Sequence, residues 1–156
     1  MNNTQLAGIT QKAKSQTPAT SEAMKSQSKP IVSYSGTQQN ELLAALPRMD
    51  LEEMFDHLEL VAMPFGKELF EYGSKLEYVY FPTTAIVSLL YVMEDGATTE
   101  IAVVGHEGAV GVSLFMGERA TCSAVVQSAG YGYRLRPQYL RDAFNRGGAL
   151  PQLLMR

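Results

Sequence analysis

The sequence predicts a mainly β domain with flanking helices, a double-stranded β-helix of jelly-roll type. Three observations carry that prediction. From Pro64 onward the apolar residues change from helical to alternating spacing, and turn residues recur every eight to twelve positions. Asp95-Gly96 separates two strand-like runs, the pattern of a tight hairpin whose glycine takes positive φ. Helical patterns are confined to the two ends of the ordered region. With 156 residues, 46% of them hydrophobic, the chain suits one domain with one core.

Residues 1–38 read as a disordered polar tail. They hold four lysines and one glutamate, and their apolar residues are too sparse to offset the entropy of ordering the backbone. Order is expected to begin near Asn40, with a single domain over residues 39–149. Leu42, Leu43 and Leu46 form a short amphipathic turn that Pro47 interrupts. A second helix follows, with Asp50 placed to cap it, Glu53 three positions on, and Leu51, Met54, Phe55 and Leu58 at helical spacing.

The β region supplies about eight short strands. KELFEYGSKLEYVYFP alternates large apolar with polar residues around Gly73, and AIVSLLYVMEDGATTEIAVVG holds the Asp95-Gly96 hairpin. After the glycines at 105, 108 and 111, SAVVQSAGYGYRL resumes the strand pattern through Tyr131, Tyr133 and Leu135. Pro137 then suits the first position of a helix, Leu140 and Phe144 share a face, and Gly147-Gly148 stop it. Leu150, Leu153 and Leu154 begin another apolar stripe.

Composition excludes several functions. A net charge of −3 and a pI near 5.4 leave no broad basic surface, so direct DNA binding by this chain is not expected. Cys122 is the only cysteine, which excludes an internal disulfide and a four-thiolate iron–sulfur site. No stretch approaches the ~18 apolar residues of a membrane helix, and no apolar leader follows the N-terminal charges. A cytoplasmic protein without a membrane partner is the expectation.

GHEGAVGVSLFMGERATCSAVVQ, residues 105–127, has the outline of an anion-binding turn. Together with VYFPTTAIVSLLYVMEDGATTEIAVVG before it and AVVQSAGYGYRL after it, this run resembles the N-terminal sensor half of the Crp/Fnr family of bacterial transcription regulators. The resemblance spans residues 40–156 and implies a β-roll of the cyclic-nucleotide-binding-domain type. Family members that bind a cyclic nucleotide carry Gly-Glu-Leu, a short helix, and then Arg-Ser/Thr-Ala. The carboxylate accepts from the ribose hydroxyl and the guanidinium pairs with the cyclic phosphate, while backbone N–H groups complete the anion site. The matching positions here are Gly111, Val112, Ser113 and Cys122, Ser123, Ala124.

Both charged partners are therefore missing. Losing two charge-assisted hydrogen bonds weakens binding by about 3 to 6 kcal/mol, on the order of 10²- to 10⁴-fold. A cyclic nucleotide is the cofactor the resemblance implies, and Val112 and Cys122 disfavour it. Arg119 stands three residues before the vacant arginine position. It reads either as a substitute or as a solvated turn residue beside Glu118. Ser113 and Ser123 with backbone amides leave open a sensor for a different small anion.

Other chemistry finds little support. Cys122 reads as a small buried hydrophobe, since a reactive thiol needs nearby positive charge and only Arg119 is local. His57 reads as a surface or half-buried helix residue, and His106 with Glu107 makes too small a donor set for a metal. With two histidines in all and no G-x-S-x-G run, an enzyme is not expected and no catalytic or metal residues are assigned. The resemblance also implies a dimerisation helix starting near Leu150 and a helix-turn-helix beyond it. Residues 150–156 read as the start of that helix, cut short, with no DNA-binding domain after it. A truncated regulator, a stand-alone sensor, and an interaction module all fit. The Leu150, Leu153 and Leu154 edge would then serve a homodimer, or a heterodimer with a full-length regulator.

Overall fold

Alternation along the chain is realised as two antiparallel sheets whose buried residues share one core. The computed structural model describes residues 32–115, 117 and 119–154. Three short helices lead in: α1 (Tyr34–Thr37), α2 (Glu41–Ala44) and α3 (Arg48–Phe55). Strands β1 (Glu59–Met63), β2 (Glu68–Phe70), β3 (Val79–Pro82), β4 (Ile86–Val92) and β5 (Thr98–Val104) follow. A 3₁₀ turn over Val112–Phe115 precedes β6 (Ser123–Ser128) and β7 (Gly130–Leu135), and α4 (Pro137–Asn145) and α5 (Ala149–Leu154) close the order. One sheet runs β1-β7-β3 and the other β2-β6-β4-β5. Seven strands are described where about eight were expected. The run around Gly73 bends out of pairing, so it yields two short strands on different sheets.

The expected β-roll is present. Phe81, Val79, Val87, Val110, Val126 and Leu135 are fully buried and belong to one hydrophobic cluster with Leu43, Leu51 and Met54 of the lead-in. Cys122, just before β6, and Ala124 and Val126 within it are buried, while Ser123 and Val125 lie at the half-exposed positions between them. The β4–β5 hairpin turns at Asp95-Gly96 as its sequence requires. Gly96 has φ 82°, its N–H donates to the Met93 carbonyl at 2.9 Å, and the Asp95 carboxylate accepts from Ala97 N at 2.9 Å.

Three local expectations are corrected. Residues 1–31 of the expected tail lie outside the described residues, but its last part is ordered. Ser33 caps α1 by accepting from Gly36 N at 3.1 Å, and Thr37 is fully buried. Gly36 lies so close against the Tyr133 hydroxyl that no Cβ fits between them, which docks this turn on β7. Asp50 does not cap α3. Pro47, with its φ already set near −54°, takes the cap position one turn earlier, and Asp50 sits in the first turn, where the helix dipole favours its charge.

The third correction concerns the C-terminal leucines, which were expected to form an exposed edge. Leu150 is fully buried, and Leu153 and Leu154 are half-buried against the core. Positive φ at Gly147 (80°) and Gly148 (92°) ends α4 as expected and turns α5 back onto the domain. The start of α4 at Pro137 is as expected, and of the two residues placed on one face Leu140 is buried and Phe144 half-buried against the core. Arg146 reaches Glu53 and His57 stacks on Tyr139 at 3.7 Å, so α4 is tied to the lead-in. Among the described residues no helix is long and apolar enough to cross a membrane.

Candidate ligand-binding site

The glycine-rich turn is positioned from both sides. Val110 bridges to β3, donating to Tyr80 O at 2.8 Å and accepting from Tyr80 N at 2.9 Å. Asn40, fully buried, donates to Pro82 O at 2.8 Å and to Gly108 O at 2.9 Å while it caps α2 by accepting from Leu43 N at 3.1 Å. One side chain thereby fastens the lead-in, β3 and the turn together. Glu107 folds back onto the turn, accepting from Gly105 N at 2.8 Å, and these backbone N–H groups hold its carboxyl below the usual carboxylate range. His106 lies 3.3 Å from Glu41 and is exposed.

Gly111 opens the cassette with φ 95°, and a Cβ there would stand 3.2 Å from the Tyr78 carbonyl. Both facts require glycine. Gly111→Ala is expected to cost about 1 to 3 kcal/mol in a urea titration, and a loss below about 0.5 kcal/mol would show that the turn adapts freely. From Gly111 the chain enters the 3₁₀ turn. Val112 packs against the core, Ser113 is half-exposed, and Phe115 stacks on Phe144 of α4 at 4.2 Å.

The second half of the cassette is equally occupied by its own chain. Arg119 does not turn inward. Its guanidinium donates to Gly73 O at 2.8 Å on the exposed surface, and its backbone bridges to Lys75. Ser123 accepts from Tyr72 N at 2.9 Å, which ties its oxygen to the exposed chain just after β2. Cys122 is 8% exposed, and burial pushes its thiol pKa up, so it stays neutral at neutral pH. Ala124 is fully buried and faces Leu89 of β4 and Phe70 of β2. Thus Gly111, Val112, Cys122 and Ala124 line or pack into the interior, whereas Arg119 and the Ser123 hydroxyl are held outside it. Among the described residues no cluster of three His, Cys, Asp or Glu side chains gathers to hold a metal.

Asn40 and the Phe115–Phe144 stack were not singled out from the sequence as parts of this site. An asparagine just before ELLA carries a cap signal that was there to read. The aromatic pair, Phe115 and Phe144, is far apart in the chain and leaves no local signature.

A family model described as the cyclic nucleotide-binding domain matches residues 60–146. Among solved structures, the N-terminal domain of a transcriptional regulator from Streptomyces coelicolor A3(2) is 26% identical. It aligns over 77% of this chain and 86% of that one, with a TM-score of 0.58. The sensor domain of the transcriptional regulator DNR from Pseudomonas aeruginosa is 15% identical over 76% of this chain and 80% of that one, with a TM-score of 0.63. The regulatory domain of Toxoplasma gondii PKA, solved with cAMP, is 19% identical over 74% of this chain and 46% of that one, at a TM-score of 0.60. No curated protein matches the chain.

Proposed function

The chain belongs to the cyclic nucleotide-binding domain family, and from that premise we propose that it is a cytoplasmic, non-enzymatic sensor domain of a Crp/Fnr-type regulator whose cassette does not hold a cyclic nucleotide tightly. One observation carries the reading. At the two positions where the family resemblance implies a carboxylate and a guanidinium stand Val112, packed on the core, and Cys122, buried and neutral. Of the local substitutes, Arg119 is turned outward to Gly73 O, and the Ser123 hydroxyl, which accepts from Tyr72 N, lies at the exposed strand edge. A cyclic phosphate entering here would leave water without a cation to meet it, which is unfavourable in a low-dielectric interior.

The same site retains a means of relay. Phe115 of the 3₁₀ turn rests on Phe144 of α4, so a shift of that turn displaces α4 and the α5 helix that follows it. The similarity to the sensor domains of transcriptional regulators supports this direction of signalling. A partner such as a second copy or a full-length regulator would read the displacement. A different small anion remains the alternative occupant, favoured by Ser113, whose half-exposed hydroxyl stands at the turn.

Differential scanning fluorimetry tests the reading. Cyclic AMP or cyclic GMP at about a hundred micromolar should leave Tm unmoved, because a ligand that does not bind the native state does not stabilise it. A rise of several degrees with either nucleotide would overturn it.

A further inference from the structure

Of the eight described lysine and arginine side chains, three are ion-paired to described carboxylates and five are not, and of those five Lys67 and Arg119 stand apart from the other three. Arg48, Arg134 and Arg146 are each paired with a glutamate, Glu52, Glu59 and Glu53 in turn. Lys75, Arg136 and Arg141 have no carboxylate within ion-pair distance among the described residues, and all three line one groove of about 560 Å³ between the 75–77 segment and the start of α4. Among the described residues Glu77 is the only acid on that wall. Three cations against one carboxylate leave it at +2, within a chain whose net charge is −3.

We infer that this groove binds a diphosphate group. Like charges gathered without counter-charges repel one another, and an anion spanning them removes that cost. Arg141 is half-buried, so its pairing with phosphate oxygens is screened less than at a fully exposed site, and its planar fork suits bidentate contact. Gln138 adds an uncharged donor to the same wall. A surplus of two positive charges spread over two separate elements is offset more fully by two linked phosphates than by one. Base stacking plays no part on the neighbouring aromatic ring. Tyr78 is already covered by Arg134 at 4.1 Å and Arg136 at 5.2 Å. The groove shares no residue with the Gly111–Ala124 cassette, so the inference stands apart from the reading of that site.

Isothermal titration of the full chain with inorganic pyrophosphate, and separately with a nucleoside diphosphate, tests it at low salt of about 50 mM. Sub-millimolar binding is expected. Arg141→Gln and Lys75→Gln should each weaken it by about tenfold to a hundredfold, and Arg48→Gln, which removes a cation already paired elsewhere, should not. Lys75 is exposed, so that variant reports binding even if Arg141→Gln folds poorly. The tighter of the two ligands identifies the source, a free diphosphate or a nucleotide. Absence of binding to both at about 1 mM, orthophosphate binding as tightly as pyrophosphate, or equal weakening by Arg48→Gln would each overturn it.

Discussion

Asn40→Ala is expected to lower the unfolding free energy by about 3 to 5 kcal/mol, far more than a polar truncation at an exposed cap. Three hydrogen bonds are lost with one side chain. The carbonyl oxygen of Asn40 caps α2 through Leu43 N, a contribution of roughly 1 kcal/mol. Its amide serves the buried Pro82 O and the part-buried Gly108 O at 2.8 and 2.9 Å, and losing the donor costs about 1 to 3 kcal/mol at the first and toward the lower end of that range at the second. Asn40→Asp separates the two effects. The aspartate keeps the cap acceptor but sets a carboxylate oxygen against two carbonyl oxygens, so at neutral pH it should be at least as unstable as the alanine variant. Urea midpoints read both. Because Gly108 leads directly into the cassette, the Val110 amide, bonded to Tyr80 O, should also exchange faster with solvent in either variant. A loss under about 1 kcal/mol for Asn40→Ala would mean that the lead-in docks on its leucines alone.

The contrast between Asn40 and Asp50 shows what the sequence could and could not disclose. Features set by two or three neighbouring residues are legible. Gly96 turns the hairpin, Pro137 starts α4 and Gly147 ends it, because each of those backbone states is nearly a property of the residue itself. Asp50 and Glu53 also make a local pattern, yet Pro47 competes for the cap and starts the helix one turn earlier. Local signals are ambiguous when two of them overlap. What brings Gly36 against Tyr133, or Leu150 into the core, is packing between distant segments, which periodicity does not encode.

The cassette divides along the same line. That Val112 and Cys122 are uncharged is plain from their identity, and alternation about Ala124 places Cys122 inward. That Arg119 is held by Gly73 O and Ser123 by Tyr72 N depends on the β2–β6 pairing and on the bend at Gly73, where φ is 76°. Chain order sets Arg119 beside the vacancy. The sheet then carries it to the outer surface, and only the three-dimensional register decides between substitute and bystander.

Cys122→Arg turns this division into a measurement. The position is 8% exposed and points to the same side of β6 as Ala124 and Val126, into the roll. A guanidinium placed there without a counter-charge should destabilise the domain by about 3 to 5 kcal/mol, comparable to an uncompensated buried charge elsewhere. If the cassette has kept its backbone outline, an anion entering the roll meets that cation together with the N–H groups of the turn after Gly111. Cyclic AMP at millimolar concentration should then recover several degrees of the lost Tm in Cys122→Arg while leaving the unmodified protein unmoved. Adding Val112→Glu supplies the acceptor for the ribose hydroxyl and should increase the recovery by a further tenfold or so in apparent affinity, the effect of about one charge-assisted hydrogen bond. A Cys122→Arg protein that melts low and gains nothing from the nucleotide would show that the missing charges are not the cause, because the interior would then be closed by packing at Val112 and Ala124 whatever its charge.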